Sequence, residues 1–160
     1  MTEPTSLEEL KNQYNIFKEK YNLPEFTELN KLFDIEDIDI ETEFLLRKIR
    51  RIISDRIAGY LRYIDAFSNP SNVPIFFLKI IKKLESKDRE ILGEIYDKLG
   101  NFEIQLISLD LDYSEEKEAD FIKNIYKIFN EEIKSDFLKI VEKLKNSKEI
   151  IKKINGSYLG

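Results

Sequence analysis

Residues 42–67 read TEFLLRKIRRIISDRIAGYLRYIDAF. Leu45, Ile49, Ile52, Ile53, Tyr60, Ile64 and Phe67 recur at helical spacing and line one side, so this stretch predicts a long amphipathic helix. Thr42 stands where an N-cap belongs. From Glu43 to Phe67 such a helix is about 38 Å long at 1.5 Å per residue. Its apolar side needs partners, and the rest of the chain offers helices. Ile38 and Ile40 alternate like a strand, but no second strand signal exists to pair with them.

Upstream, Ser6 and Glu9 form a capping-box pattern, and Leu7, Leu10, Tyr14, Phe17 and Tyr21 follow at steps of three and four until Pro24. Phe26, Leu29 and Phe33 then share one face of a short helix. Ile35, Ile38 and Ile40 punctuate the acids that come next, which predicts a loop pinned to the body by its apolar residues.

Downstream, Asn69-Pro70-Ser71-Asn72-Val73-Pro74 is the clearest turn. The helix after it, from Pro74 to Leu84, is apolar nearly all round and is expected at the centre of the fold. Ser86 caps a helix with the stripe Ile91, Ile95, Leu99, Phe102, Leu106 and Leu109. Gly93 and Gly100, on nearly one face of it, would permit close helix packing. Ser114 opens a last long helix with Ile122, Ile125, Phe129, Ile133, Ile140 and Leu144 on its core side, ending near Asn146. The prediction is an all-α, single-domain bundle of about five main helices plus one short N-terminal helix, spanning residues 1–146. Residues 147–160, with Lys148, Lys152 and Lys153, read as a frayed or disordered tail. At 160 residues the chain buries about 70% of its unfolded surface without help from metal or disulfide.

Composition removes whole classes of chemistry. There is no histidine and no cysteine, so a Ser-His-Asp triad, a histidine zinc site, a thiolate nucleophile and an iron-sulfur centre are all excluded. The glycines are scattered and make no phosphate-cradling loop. Glu94 with Asp97 and Glu115 with Glu118 have the i, i+3 spacing of a helical magnesium site, but so acid-rich a chain produces such pairs by chance, and surface acids explain them better. No cofactor or metal is expected. No signal sequence and no membrane-spanning run can be read, so a cytoplasmic location is expected.

The net charge of −5 is unevenly distributed. Residues 1–43 carry 4 basic and 12 acidic groups, whereas residues 44–67 carry 6 basic and 2 acidic. Five of the six arginines lie in the long helix. On a helical wheel Arg47, Arg51 and Arg62 fall opposite the apolar side and Arg50 at its margin, giving a candidate basic stripe. Arginine's planar fork suits phosphate or carboxylate. The stripe could contact nucleic acid or an acidic protein. The net negative charge and the neighbouring acids favour a solvated face with pairs such as Arg51 with Asp55, or neutralisation by the segment Asp34–Glu43 folding back along it.

Arg56 falls in the middle of the apolar side, where an unpaired guanidinium would be costly. Glu118, Glu132 and Asp136 sit near the core-facing side of the last helix, so Arg56 is expected to pair with one of them, Asp136 or Glu118 first. Alternatively Arg56, Tyr60 and these carboxylates line a pocket for a small anion or polar ligand.

Across most of its length the chain resembles a group of small acidic helical proteins common in archaeal genomes. The resemblance rests on Phe33-Asp34-Ile35-Glu36, Leu45-Leu46-Arg47-Lys48-Ile49-Arg50, Asn69-Pro70-Ser71-Asn72-Val73-Pro74 and Asp112-Tyr113-Ser114-Glu115-Glu116-Lys117-Glu118-Ala119. It implies a cytoplasmic single domain and carries over no catalytic residue. A fainter likeness is to the helical domain of replication GINS subunits, which also have an arginine-bearing long helix. The expected function is a non-enzymatic interaction or structural module, monomeric or weakly dimeric and independent of membranes, with a protein partner. The alternative is a nucleic-acid-associated accessory protein using the arginine stripe.

Overall fold

The computed structural model describes residues 6–38 and 43–157, with side chains for all of these except 72 and 147–157. Every regular element among them is helical. In chain order these are α1 (Ser6–Tyr21), α2 (Phe26–Phe33), α3 (Leu45–Ser68), a 3-10 turn (Pro70–Asn72), α4 (Ile75–Ile81), α5 (Ser86–Leu111), α6 (Glu115–Ile128), a π turn (Phe129–Ile133) and α7 (Lys134–Ser157). The all-α bundle is therefore as expected. Helix α3 packs on both α5 and α6, the α1–α2 hairpin lies against α6 and α3, and α7 reaches α4 and α5.

The N-terminal elements obey their sequence signals. Tyr14 is fully buried, and its hydroxyl donates to the Pro24 carbonyl at 2.7 Å, closing the turn between α1 and α2. Burial, with the Glu25 carboxylate adding to it, pushes the Tyr14 phenol well above its ordinary range. Helix α2 ends on Asp34 in the left-handed conformation, whose N–H donates to the Asn30 carbonyl. The Asn30 side chain then accepts from the N–H groups of Ile35 and Glu36 at 2.8 and 3.0 Å. Ile35 and Ile38 are buried, so the acidic loop is pinned by its apolar residues up to position 38. Ile40 and the expected cap Thr42 lie outside the described residues; Phe44 takes the cap position before α3 and supplies no side-chain bond.

Helix α4 corrects an expectation. It spans only seven residues and lies at the edge, with Ile75 77% and Phe76 60% exposed and only Ile80 and Ile81 buried. Its anchor is Phe77, which stacks on Phe67 at 6.0 Å with the rings nearly parallel. An apolar circumference did not mean burial: α3, α7 and Arg89 of α5 reach α4 and leave Ile75 and Phe76 outside. The chain turns after Ile81, and α5 opens with a capping box between Glu85 and Asp88 instead of a Ser86 cap. Lys143 of α7 bonds both Asp88 oxygens, at 2.8 and 3.0 Å. This bond and that from the Glu85 N–H hold the Asp88 carboxyl below its usual range. Arg89 donates to the carbonyls of Phe67 and Ile81, tying together the ends of α3 and α4.

The expected helix 114–146 begins as predicted, with Ser114 Oγ accepting from the Lys117 N–H. It then passes through the π turn, where the Lys134 N–H donates to the Phe129 carbonyl five residues back. Ile125, Phe129, Ile133 and Phe137, all buried, are four residues apart. In a regular helix each such step drifts about 40°, and the extra residue of a π turn takes up that drift. The tail expected from residue 147 is helical backbone of α7 as far as Ser157, and residues 158–160 lie outside the described residues.

Candidate functional site

The arginines of α3 separate into three groups. Arg50, expected at the margin of an outward stripe, is 2% exposed and is the buried cation among the described residues. Its Nε and Nη2 donate to the two oxygens of Glu118 at 2.9 and 3.2 Å, a bidentate fork, and its Nη1 meets Asp110 at 2.8 Å. Glu118 is fully buried in the first turn of α6, where the helix N-terminus also favours a carboxylate. Burial pulls the Arg50 pKa down, but the hydrogen bonds to Glu118 and Asp110 outweigh it, and the group stands above its ordinary value. It is charged at every physiological pH.

Arg47 does not join a stripe either. Its guanidinium lies 4.5 Å from the centre of the Tyr113 ring and 5.9 Å from that of Phe44, and these two rings meet edge-on at 5.0 Å. Its Nε is buried 3.7 Å from Glu118 and makes no hydrogen bond. Arg47 and the two rings thus roof the Arg50–Glu118 pair. Beside them Glu115 accepts from Lys20 at 2.8 Å and Tyr21 at 2.6 Å, which joins the end of α1 to the same cluster. Neither Glu115 nor Glu118 is left for a metal.

Arg51 and Arg62 alone keep the expected outward position, exposed and without a partner among the described residues. Lys48 shares their face, and so does Asp55. Of the segment Asp34–Glu43, one candidate to neutralise this stripe, Asp34 pairs with Arg56 and Glu36 with Asn30, neither with Arg51 or Arg62, and residues 39–42 lie outside the described residues.

The prediction for Arg56 is overturned. It is 48% exposed and bonds Asp34 at 3.0 Å, while Glu132 pairs with Lys98 and Asp136 with Lys139, all at the surface. Two rotations explain this. Because α3 packs against both α5 and α6, its buried arc turns about 40° towards Leu46, Arg50 and Ile57, which carries Arg56 out and Arg50 in. The π turn rotates the helix beyond it by about 100°, so Phe137 joins Ile133 and Ile140 on the core side, while Glu132 and Asp136 turn out to the surface. Glu118, ahead of that turn, stays where the sequence put it and is the acceptor, but for a different arginine. Tyr60 lines a cavity with apolar neighbours and two lysines, without Arg56 or any of the three carboxylates.

A second surface was missed. On α5, Ile104, Ile107 and Leu111 are 68%, 62% and 84% exposed. They continue a stripe through Gly93, Tyr96 and Gly100 that lies about 140° from the buried side of the helix. The expectation that the glycines serve packing within the bundle fails, since a Cβ at either position would meet nothing within 4 Å. The signal was present in the spacing 93, 100, 104, 107, 111, a second heptad-like series on one helix. Glu90, Glu94 and Asp97 flank its first half, exposed and unpaired among the described residues. With open space around it, Gly100→Ala should stabilise the isolated protein by about 1 kcal/mol through helix propensity, raising Tm by about 2–4 °C in a thermal melt.

Among the described residues no helix is long and apolar enough to cross a membrane, and no three carboxylates gather as a metal site requires. Comparison with models of known families, with curated proteins and with solved structures finds no match.

Proposed function

We propose that the protein is a cytoplasmic, non-enzymatic interaction module whose docking face is the outer side of α5, and that its partner is a basic amphipathic helix. The observation that carries this reading is the exposed series Ile104, Ile107 and Leu111, continued by two glycines that face open space. Burying each aliphatic side chain would contribute about 1.5–3 kcal/mol, and the glycines allow a helix backbone to approach closely. The unpaired acids Glu90, Glu94 and Asp97 at the other end of the face call for lysine or arginine on the partner. A second copy fits poorly. Antiparallel pairing about Gly100 would set acids against Ile104 and Leu111, and parallel pairing would set acid against acid.

The test uses a synthetic helical peptide with leucines on one stripe and lysines beside it, against a control with glutamate in place of lysine. Hydrogen exchange should show protection by the lysine peptide over residues 93–111. The Ile104→Asp, Ile107→Asp variant should keep its fold, both positions being exposed, and lose that protection. Gly100→Ala should bind more weakly although it is more stable. Equal binding of both peptides, or protection confined to other helices, would reject the docking face.

The nucleic-acid reading is weaker. Arg47 and Arg50 are engaged internally, which leaves Lys48, Arg51 and Arg62, interrupted by Asp55. Three phosphate contacts give a log-log salt slope of about −2.7, a weak interaction for a chain with net charge −5.

A further inference from the structure

A cavity of about 240 Å³ opens between α2, α3, the π turn and α7. Its floor is aromatic. Tyr60 stands 5.4 Å from Phe129 and meets Phe137 edge-on at 5.7 Å, so the three rings form a corner. Leu32, Leu138 and Val141 make the walls, and Leu138 is still 51% exposed. Among the described residues that line it, Lys31 and Lys134 are the charged ones. Lys31 pairs with Glu28 on its own helix at the surface, and Lys134 has no partner among the described residues. The Tyr60 hydroxyl likewise makes no hydrogen bond among them.

The π turn builds this site. Its wide turn puts Phe129 into the floor and closes on Lys134, whose N–H reaches back to the Phe129 carbonyl. Such turns recur at functional sites because they aim side chains that a regular helix would direct elsewhere. An apolar, ring-lined cavity with no carboxylate among its lining residues, and with Lys134 rather than the Glu28-paired Lys31 as its unpaired cation, selects one charge pattern, an apolar body ending in a single anionic group. The volume lies below the 300–1,000 Å³ of sites for drug-sized ligands, so the body must be small. We infer that the cavity between α2, α3 and α7 is a binding site for a small amphiphilic carboxylate, with its chain on Tyr60, Phe129 and Phe137 and its carboxylate at Lys134. This is independent of the α5 face, which none of these residues touches.

The probes are octanoate and, as its uncharged counterpart, octanol, titrated into the full chain and followed by the methyl NMR signals of Leu32, Leu138 and Val141. Octanoate should shift all three saturably and bind about ten-fold more tightly than octanol, the effect of one charge-assisted hydrogen bond. Lys134→Met should bring octanoate to the octanol level and leave octanol unchanged. Val141→Trp, at a half-exposed position, should fill the cavity and abolish binding of both, and Leu138→Trp serves the same purpose should Val141→Trp misfold. Equal affinity for the two probes, shifts that do not saturate, or octanoate binding undiminished in a folded cavity-filled variant would overturn the site.

Discussion

Glu118→Leu should lower the stability of the protein by about 3–5 kcal/mol, seen as a shift of the urea midpoint with an unchanged slope. The substitution removes both acceptors of the Arg50 fork and leaves the guanidinium, 2% exposed, with only Asp110 on one nitrogen. Asp110 is itself 57% exposed at its side chain and offers little compensation. Against a total of about 5–15 kcal/mol for a domain, that loss leaves a marginal fold. The pair as a whole is worth much less than either partner's removal suggests. Arg50→Met combined with Glu118→Leu should recover most of the loss, since two charges then no longer need to leave water. A Glu118→Leu protein as stable as the parent would mean that the guanidinium finds water, and the buried pair would have to be abandoned.

Phe129→Ala should cost about 3–5 kcal/mol, the range for truncating a large buried aromatic. Phe129 is 5% exposed and packs against Phe33 and Tyr60, each at 5.4 Å, so it joins α2, α3 and the π turn. Phe129→Leu, which keeps most of the volume, should cost far less. The loss should also be visible locally, with the amides of α2 exchanging faster in the alanine variant than in the leucine one. If the two variants melt together, the ring does not hold that junction.

How much of this was legible depended on how many neighbours a residue has to know about. Helix periods, the turn from Asn69 to Pro74, the Ser114 cap and the pinning of the acidic loop by Ile35 and Ile38 are local, and each was readable in a few consecutive residues. Arg50 and Arg56 are different. They lie about 60° to either side of the centre of the observed buried arc of α3, and only the placement of α5 and α6 decides which one goes in. The π turn had a sequence signal, the fourfold spacing of Ile125, Phe129, Ile133 and Phe137, but its effect on Glu132 and Asp136 needs the turn itself. The apolar circumference of α4 was read as centrality, although its composition could not say how many helices would stand around it. The face of α5 was in plain view as a second stripe, eclipsed by the first.

The fork between Arg50 and Glu118 spans 68 positions of the chain. A ribosome releases α1 to α4 before α6, and until α6 follows the arginine lacks its fork and has at most Asp110 of α5 as a protein acceptor. The emerging half can form helices, but it cannot seal α3 against them without stranding a charge. Completion of the fold therefore waits for α6, and a chain cut between Asn69 and Pro74 would leave two fragments, with Arg50 on one and Glu118 on the other. The long-range tie couples the closing of α3 to the arrival of α6.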